Sequence, residues 1–158
     1  MHTLDHTRLS SAAGSVGLSQ ACIDASVKYA NERIQFGKRI GEFQMVQERI
    51  ADMVVETEAA RLLTYRCAQM KDQGIPNTLE TSIAKLYAAH CSAHTASLAM
   101  EIHGAYGFSD EYPVERYFRD AELNRIAEGS SNIQRILIAM DALGWKKANR
   151  PVRTRINQ

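Results

Sequence analysis

Apolar residues in this chain recur almost everywhere at steps of three and four, and no stretch alternates as a half-buried strand would. That pattern confines the fold to packed helices. Val16, Gln20, Ile23, Val27, Ala30 and Ile34 form one stripe of a long first helix. Val46, Ile50, Met53, Thr57, Ala60, Thr64 and Cys67 form the same stripe in a second. It should stop at Lys71-Asp72-Gln73-Gly74, a basic residue followed by a C-cap glycine, with Pro76 just beyond. Asn77 with Glu80 reads as a capping box opening a third helix, which runs through Ile83, Leu86 and Leu98 to Gly104. Pro113 suits the first turn of a short helix, and a last helix follows Gly129 and should fray after Gly144. Long helices on short loops predict an all-α fold, an antiparallel up-and-down four-helix bundle with one additional short helix. A helix of about 30 residues spans ~45 Å, so the bundle should be elongated.

With 158 residues the chain is long enough for one domain and a sizeable core. Residues 1–148 are expected to form the bundle, and 149–158 a flexible tail after a run of basic residues. A net charge of +1 excludes the basic footprint that nucleic-acid binding needs. No apolar run approaches the ~20 residues that cross a bilayer, so no membrane partner is expected. Cys22, Cys67 and Cys91 are odd in number and form no CxxC pair. That suits a reducing cytoplasm, or the mitochondrial matrix in a eukaryote.

Chemistry is concentrated near the C-terminus. Ile126-Ala127-Glu128-Gly129-Ser130-Ser131-Asn132-Ile133-Gln134-Arg135 sets one carboxylate before a Gly-Ser-Ser turn that leads into an apolar helix. Ser130 or Ser131 is a natural N-cap, so unpaired backbone N–H groups should lie beside Glu128. Alone, Glu128 reads as an ordinary solvated loop acid.

Arg33 to Phe36-Gly37 places a guanidinium, an aromatic ring and a glycine at one helix end, a set suited to a phosphate and an adenine. A dipole-complementing arginine with a packed cap phenylalanine is the plainer reading. Asp5 and Arg8 read on spacing as a solvated i,i+3 ion pair. His90, Cys91 and His94 lack the acidic partner of a zinc or di-iron helix motif, so no metal is expected.

Several short motifs occur together in order. They are Asp5-His6-Thr7-Arg8, Glu32-Arg33-Ile34-Gln35-Phe36-Gly37, Phe43-Gln44, Glu101-Ile102-His103-Gly104-Ala105-Tyr106-Gly107-Phe108, Glu111-Tyr112-Pro113-Val114-Glu115-Arg116 and the Glu128 turn. In this register the chain resembles the C-terminal helical domain of the acyl-CoA dehydrogenase family over residues 3 to 145. The family's N-terminal helical and middle β domains have no counterpart here. A related acyl-CoA oxidase, an enoyl-CoA reductase or a non-catalytic oligomerisation domain would share the pattern.

The resemblance implies an FAD-dependent oxidoreductase that converts an acyl-CoA thioester to the trans-2-enoyl-CoA, with Glu128 as the base taking the α-proton. Such a base needs its proton affinity raised, which desolvation between acyl chain and flavin provides. The backbone N–H of Glu128 would donate to the thioester oxygen. Arg33 and Gln44, with Phe36, would meet FAD of a neighbouring subunit, and Glu101, Ile102, His103, Gly104 and Ala105 would lie against its pyrophosphate. Glu101 and Ala105 depart from the usual glutamine and glycine, and a carboxylate there repels phosphate unless it is paired or turned away. Ser130 and Asn132 would contact flavin, and Asp5, Arg8 and Gly129 the acyl-CoA. A homodimer or homotetramer, with electron-transfer flavoprotein as acceptor, completes what the resemblance implies; the isolated domain should be inactive.

Overall fold

The computed structural model describes residues 2–149, and the side chains of residues 7–149. Three long helices dominate: α1 (His2–Glu32), α2 (Gln44–Asp72) and α3 (Thr78–His103). Two shorter ones follow, α4 (Val114–Ile126) and α5 (Ser131–Ala142). The fold is all-α, as the periodicity predicts, and α4 and α5 both pack on α3 in place of a fourth long helix.

The core consists of two clusters that also give the helix directions. Ala12, Val16, Ala60, Cys67, Ala84, Ala88 and Cys91 form one, at the start of α1, the end of α2 and the start of α3. Cys22, Ile23, Tyr29, Ala30, Met53, Ala96, Ala99, Ile102, Val114 and Ala121 form the other. Chain direction therefore reverses at each long-helix connection, leaving α1 and α3 parallel.

These two parallel helices meet along small side chains. Ser15, Ser19, Cys22 and Ser26 of α1 are buried, as are Ala84, Ala88, Thr95 and Ala99 of α3. The buried serines limit their polar cost locally: Ser15 Oγ donates to the Ser11 carbonyl at 2.9 Å and Ser19 Oγ to that of Ser15 at 3.0 Å. The expected α1 stripe is therefore rotated. Val16, Ile23 and Ala30 are buried, but Val27 and Ile34 face outward.

The α2 stripe is buried from Met53 to Cys67 at each expected position. Its end is also as expected: Gly74 takes φ 70°, and the Ile75 N–H donates to the Met70 carbonyl at 2.9 Å. The capping box at the start of α3 does not form. Asn77 Nδ2 donates instead to the Cys67 carbonyl at 2.9 Å. Asn149 takes over the cap: its Oδ1 accepts from the Leu79 N–H at 2.9 Å, and its Nδ2 donates to Glu80 at 2.8 Å. Asn149 is the first residue of the expected tail, and the rest of that tail lies outside the described residues.

A short hairpin joins α1 to α2. β1 (Ile34–Gln35) pairs antiparallel with β2 (Lys38–Arg39) across Phe36 and Gly37, whose φ values are 52° and 80°. Two consecutive positive φ angles mark the type I′ turn that matches strand twist. The hairpin is too short to register as an alternating pattern.

Candidate active site and flavin wall

The candidate residues fall into two groups at opposite ends of the bundle. Roughly 36 Å of α1 separates Arg8 from the helix end at Glu32.

At the Arg8 end, α4 stops at Ile126 and the chain turns through Glu128 and Gly129 with φ 56° and 89°. Glu128 is a non-glycine residue in the left-handed region, which costs on the order of 1–3 kcal/mol and persists only where its surroundings enforce it. Here they do. Lys85, fully buried on α3, donates from Nζ to the carbonyls of Asn124 and Gly129, each at 2.9 Å. Gln134, fully buried on α5, donates from Nε2 to the same Gly129 carbonyl at 3.1 Å. Arg8 is 4% exposed, and its guanidinium lies within 3.7 Å of where a side chain at Gly129 would begin.

The Glu128 side chain is exposed, and no hydrogen bond or ion pair holds it among the described residues. A carboxylate on a pinned backbone with a free side chain can meet a ligand without reorganising the loop.

Ser130 occupies the N-cap of α5, but its hydroxyl makes no capping bond. Ser131 Oγ donates instead to the Arg125 carbonyl at 3.2 Å, closing one free end of α4. Ser130, Asn132, Arg125 and Arg135 help line an open cleft of about 320 Å³ beside the turn. Asn132 is exposed, and its Oδ1 accepts from Arg135 at 3.3 Å. Asp5 belongs to α1, but its side chain lies outside the described residues.

The other end gathers Arg33, Phe36, Gln44 and residues 101–105. The Arg33 guanidinium sits 5.1 Å from the ring centroid of Tyr106, joining the hairpin to the turn after α3. Phe36 is 93% exposed, an open aromatic face, and Gln44 is exposed at the first residue of α2. Glu101 is paired: Arg49 Nε donates to it at 2.9 Å, so the carboxylate is neutralised. Ile102 and His103 are buried, which leaves only their backbone for a ligand. Gly104, with φ 59°, and Ala105 are exposed, and a side chain at Gly104 would meet nothing within 4 Å. The donor set fits a flavin nucleotide: a cation, an amide, an exposed ring and open backbone, with the one acid neutralised.

His103 holds this end together. Its ring stacks on Tyr29 at 4.3 Å and meets Tyr112 edge-on at 5.5 Å, and its Nδ1 lies 2.8 Å from the Ala99 carbonyl. Burial pushes the imidazole below its ordinary value, against a smaller upward pull from that carbonyl. The unfolded chain therefore protonates first as pH falls. His103's contribution to stability is complete above about pH 6.5 and is lost as pH drops towards the folded value. Thermal melts should fall as pH is lowered below about 6.5, and His103→Gln should flatten that slope.

His90 and His94 are occupied elsewhere, His90 accepting from Arg135 at 2.9 Å and His94 pairing with Glu56 at 2.9 Å. Among the described residues no cluster of three metal-ligating side chains occurs. Lys85 and Gln134 are the site residues that sequence reasoning missed. A signal was present: Lys85 is in phase with Thr81, Ala88, Ser92 and Thr95, all buried. A lysine on a buried stripe has to find oxygen atoms to bind.

A family model described as acyl-CoA dehydrogenase, C-terminal domain, matches residues 1–143. Glutaryl-CoA dehydrogenase of Desulfococcus multivorans is 56% identical over 149 residues, 94% of this chain and 38% of that protein. The caffeyl-CoA reductase-Etf complex subunit CarC of Acetobacterium woodii is 45% identical over 139 residues, 88% of this chain and 37% of the relative. A solved glutaryl-coenzyme A dehydrogenase bound to glutaryl-CoA superposes with a TM-score of 0.91 at 57% identity, covering 93% of this chain and 38% of that one. The chain thus spans little more than a third of these relatives. It belongs to the acyl-CoA dehydrogenase family and corresponds to that family's C-terminal domain.

Proposed function

We propose that this chain is the catalytic C-terminal part of an FAD-dependent acyl-CoA dehydrogenase, with Glu128 as its base. The observation that carries this is the Glu128 turn, a strained backbone pinned by buried donors that presents an unpaired carboxylate. Bound FAD would supply the hydride acceptor, taking the β-hydrogen with its electron pair. The Glu128 carboxylate takes the α-proton, leaving a carbon–carbon double bond and a neutral carboxyl group. The Glu128 N–H would donate to the thioester oxygen and stabilise charge developing there. Asp5 and Arg8 would meet the CoA portion of the substrate, Gly129 would lie beside the acyl thioester, and Ser130 and Asn132 would contact the flavin.

Arg33, Phe36, Gln44 and the backbone at 101–105 would hold the nucleotide half of an FAD whose ring lies in another copy. The distance between the two ends of the bundle supports this division, because one dinucleotide does not reach both. It requires at least a homodimer, and a homotetramer is two such pairs. Val55, Leu62 and Tyr65 on the outer face of α2 are each more than 60% exposed, apolar surface suited to such packing. Sedimentation should show a dimer or tetramer at micromolar concentration, and a persistent monomer would count against shared sites.

Glutaryl-CoA is the first substrate to try, given the identity to the Desulfococcus enzyme. Electron-transfer flavoprotein is the proposed acceptor, supported by the Etf-complex relative. That relative also keeps the enoyl-CoA reductase direction in view. Mixing the complete flavoprotein with glutaryl-CoA and electron-transfer flavoprotein should bleach the flavin and pass electrons on. Absence of bleaching, with turnover only from the enoyl thioester, would favour the reductase reading.

A further inference from the structure

One ammonium group spans the whole segment that carries the base. Lys85 Nζ binds the Asn124 carbonyl in the last turn of α4 and the Gly129 carbonyl beyond Glu128, both at 2.9 Å. It thereby ties down both ends of the stretch in which the chain leaves the helix and turns left-handed. Gln134 Nε2 grips the Gly129 carbonyl from α5 at 3.1 Å. The backbone around Glu128 is thus held from two helices, α3 and α5.

We propose that Lys85, assisted by Gln134, is a positioning residue for the base, holding residues 124–129 so that Glu128 meets the α-proton. The proposal rests on the reading of Glu128 as the base. The alternative is that Lys85 only plugs the end of α4. A buried ammonium is a costly plug, because taking an ion out of water exceeds what an apolar residue in the same space would cost. A glycine cap would close a helix end with no buried charge. Its second bond also falls outside α4, on the carbonyl next to Glu128. Burial and the charge of Arg8 push Lys85 below its ordinary pKa, while Glu128 pulls it upward, which places all three groups in one electrostatic neighbourhood.

The geometry also explains why position 129 needs glycine. A side chain there would begin 2.6 Å from Gln134 Nε2, on a backbone at φ 89°. It would displace one of the two donors.

The test uses the complete FAD-containing enzyme with glutaryl-CoA. It compares Lys85→Met and Gln134→Met with Glu128→Gln and with Met53→Ala, a core change in the other cluster. A displacement of about 1 Å can cost 10²-fold. The rate of flavin bleaching at saturating substrate should therefore fall ~10–100-fold in Lys85→Met, and by less in Gln134→Met. Affinity for the enoyl-CoA product should stay within about threefold, under 1 kcal/mol. Met53→Ala should lower the melting temperature and leave the bleaching rate unchanged. Hydrogen exchange should speed up across residues 124–131 in the Lys85 variant and not in the Met53 variant.

Wild-type bleaching in Lys85→Met, with Glu128→Gln inactive, overturns the positioning role and leaves the base in place. Equal loss of rate and product affinity in Lys85→Met reduces Lys85 to fold support and overturns it too. Bleaching by Glu128→Gln removes the base reading, and the proposal with it. Should Lys85→Met not fold, Gln134→Met decides: a reduced rate at unchanged affinity supports the clamp, and a wild-type rate overturns it.

Discussion

Glu128→Gln in the complete flavoprotein should lower the rate of flavin bleaching by ~10²–10⁴-fold, with acyl-CoA affinity close to its starting value. Glutamine keeps the size of the side chain and the backbone N–H that would face the thioester. What it removes is the negative charge, and with it the basicity needed to accept the α-proton. The Glu128 carboxylate makes no bond to the protein among the described residues, so the substitution should not disturb the turn. Lys85 and Gln134 hold the backbone through the Asn124 and Gly129 carbonyls, which the change leaves intact. The loss should therefore appear in the chemical step. Rapid mixing reads it directly, and an enzyme that still bleaches at nearly the original rate would place the base elsewhere.

The second large effect concerns the 158-residue chain by itself. It should neither retain FAD through gel filtration nor reduce a dye with an acyl-CoA. Each copy offers the Arg33–Phe36–Gln44 wall at one end and the Glu128 turn at the other. Even a dimer of this domain would bring only those two walls to each flavin. The relatives are more than twice as long, and the remaining surfaces would come from the portion this chain does not span. Every ~1.4 kcal/mol of lost contact lowers affinity tenfold, so a partial site falls quickly below useful binding. A yellow, active preparation would contradict this.

Much of the fold was legible in the sequence because α2 follows the simple rule. The row expected from Met53 to Cys67 at steps of three and four is the buried one, while Val55 and Leu62 lie outside it on the exposed side. In α1 the rule fails for an identifiable reason. The face against α3 is lined by Ser15, Ser19 and Ser26, which a hydrophobicity pattern reads as outward. Close approach of two parallel helices favours small volume over hydrophobicity, and Ser15 and Ser19 satisfy their hydroxyls one turn back. The start of α3 misled for another reason: its cap comes from Asn149, 70 residues later, which no local motif can show.

In the candidate site, the motifs marked the residues that face outward, such as Glu128, Arg33 and Gln44. They did not show that Ile102 and His103 point into the core, nor that Arg49 would neutralise Glu101. Lys85 and Gln134 escaped because their value lies in the backbone carbonyls they reach, and a carbonyl has no letter in the sequence.

The two ends of the bundle also make α1 a ruler. Arg8 and Arg33 sit near the ends of one continuous helix, so their spacing and relative bearing are set by residue count alone. One inserted residue would advance the far end by about 1.5 Å and turn it by about 100°. Such an insertion would leave every site residue present in the sequence, yet turn part of the Ser15–Ser26 face away from α3 and aim one wall away from its partner. Length in this helix is thus as constrained as the identity of the residues at its ends, and variation in the domain should collect in its surface-facing substitutions and loops.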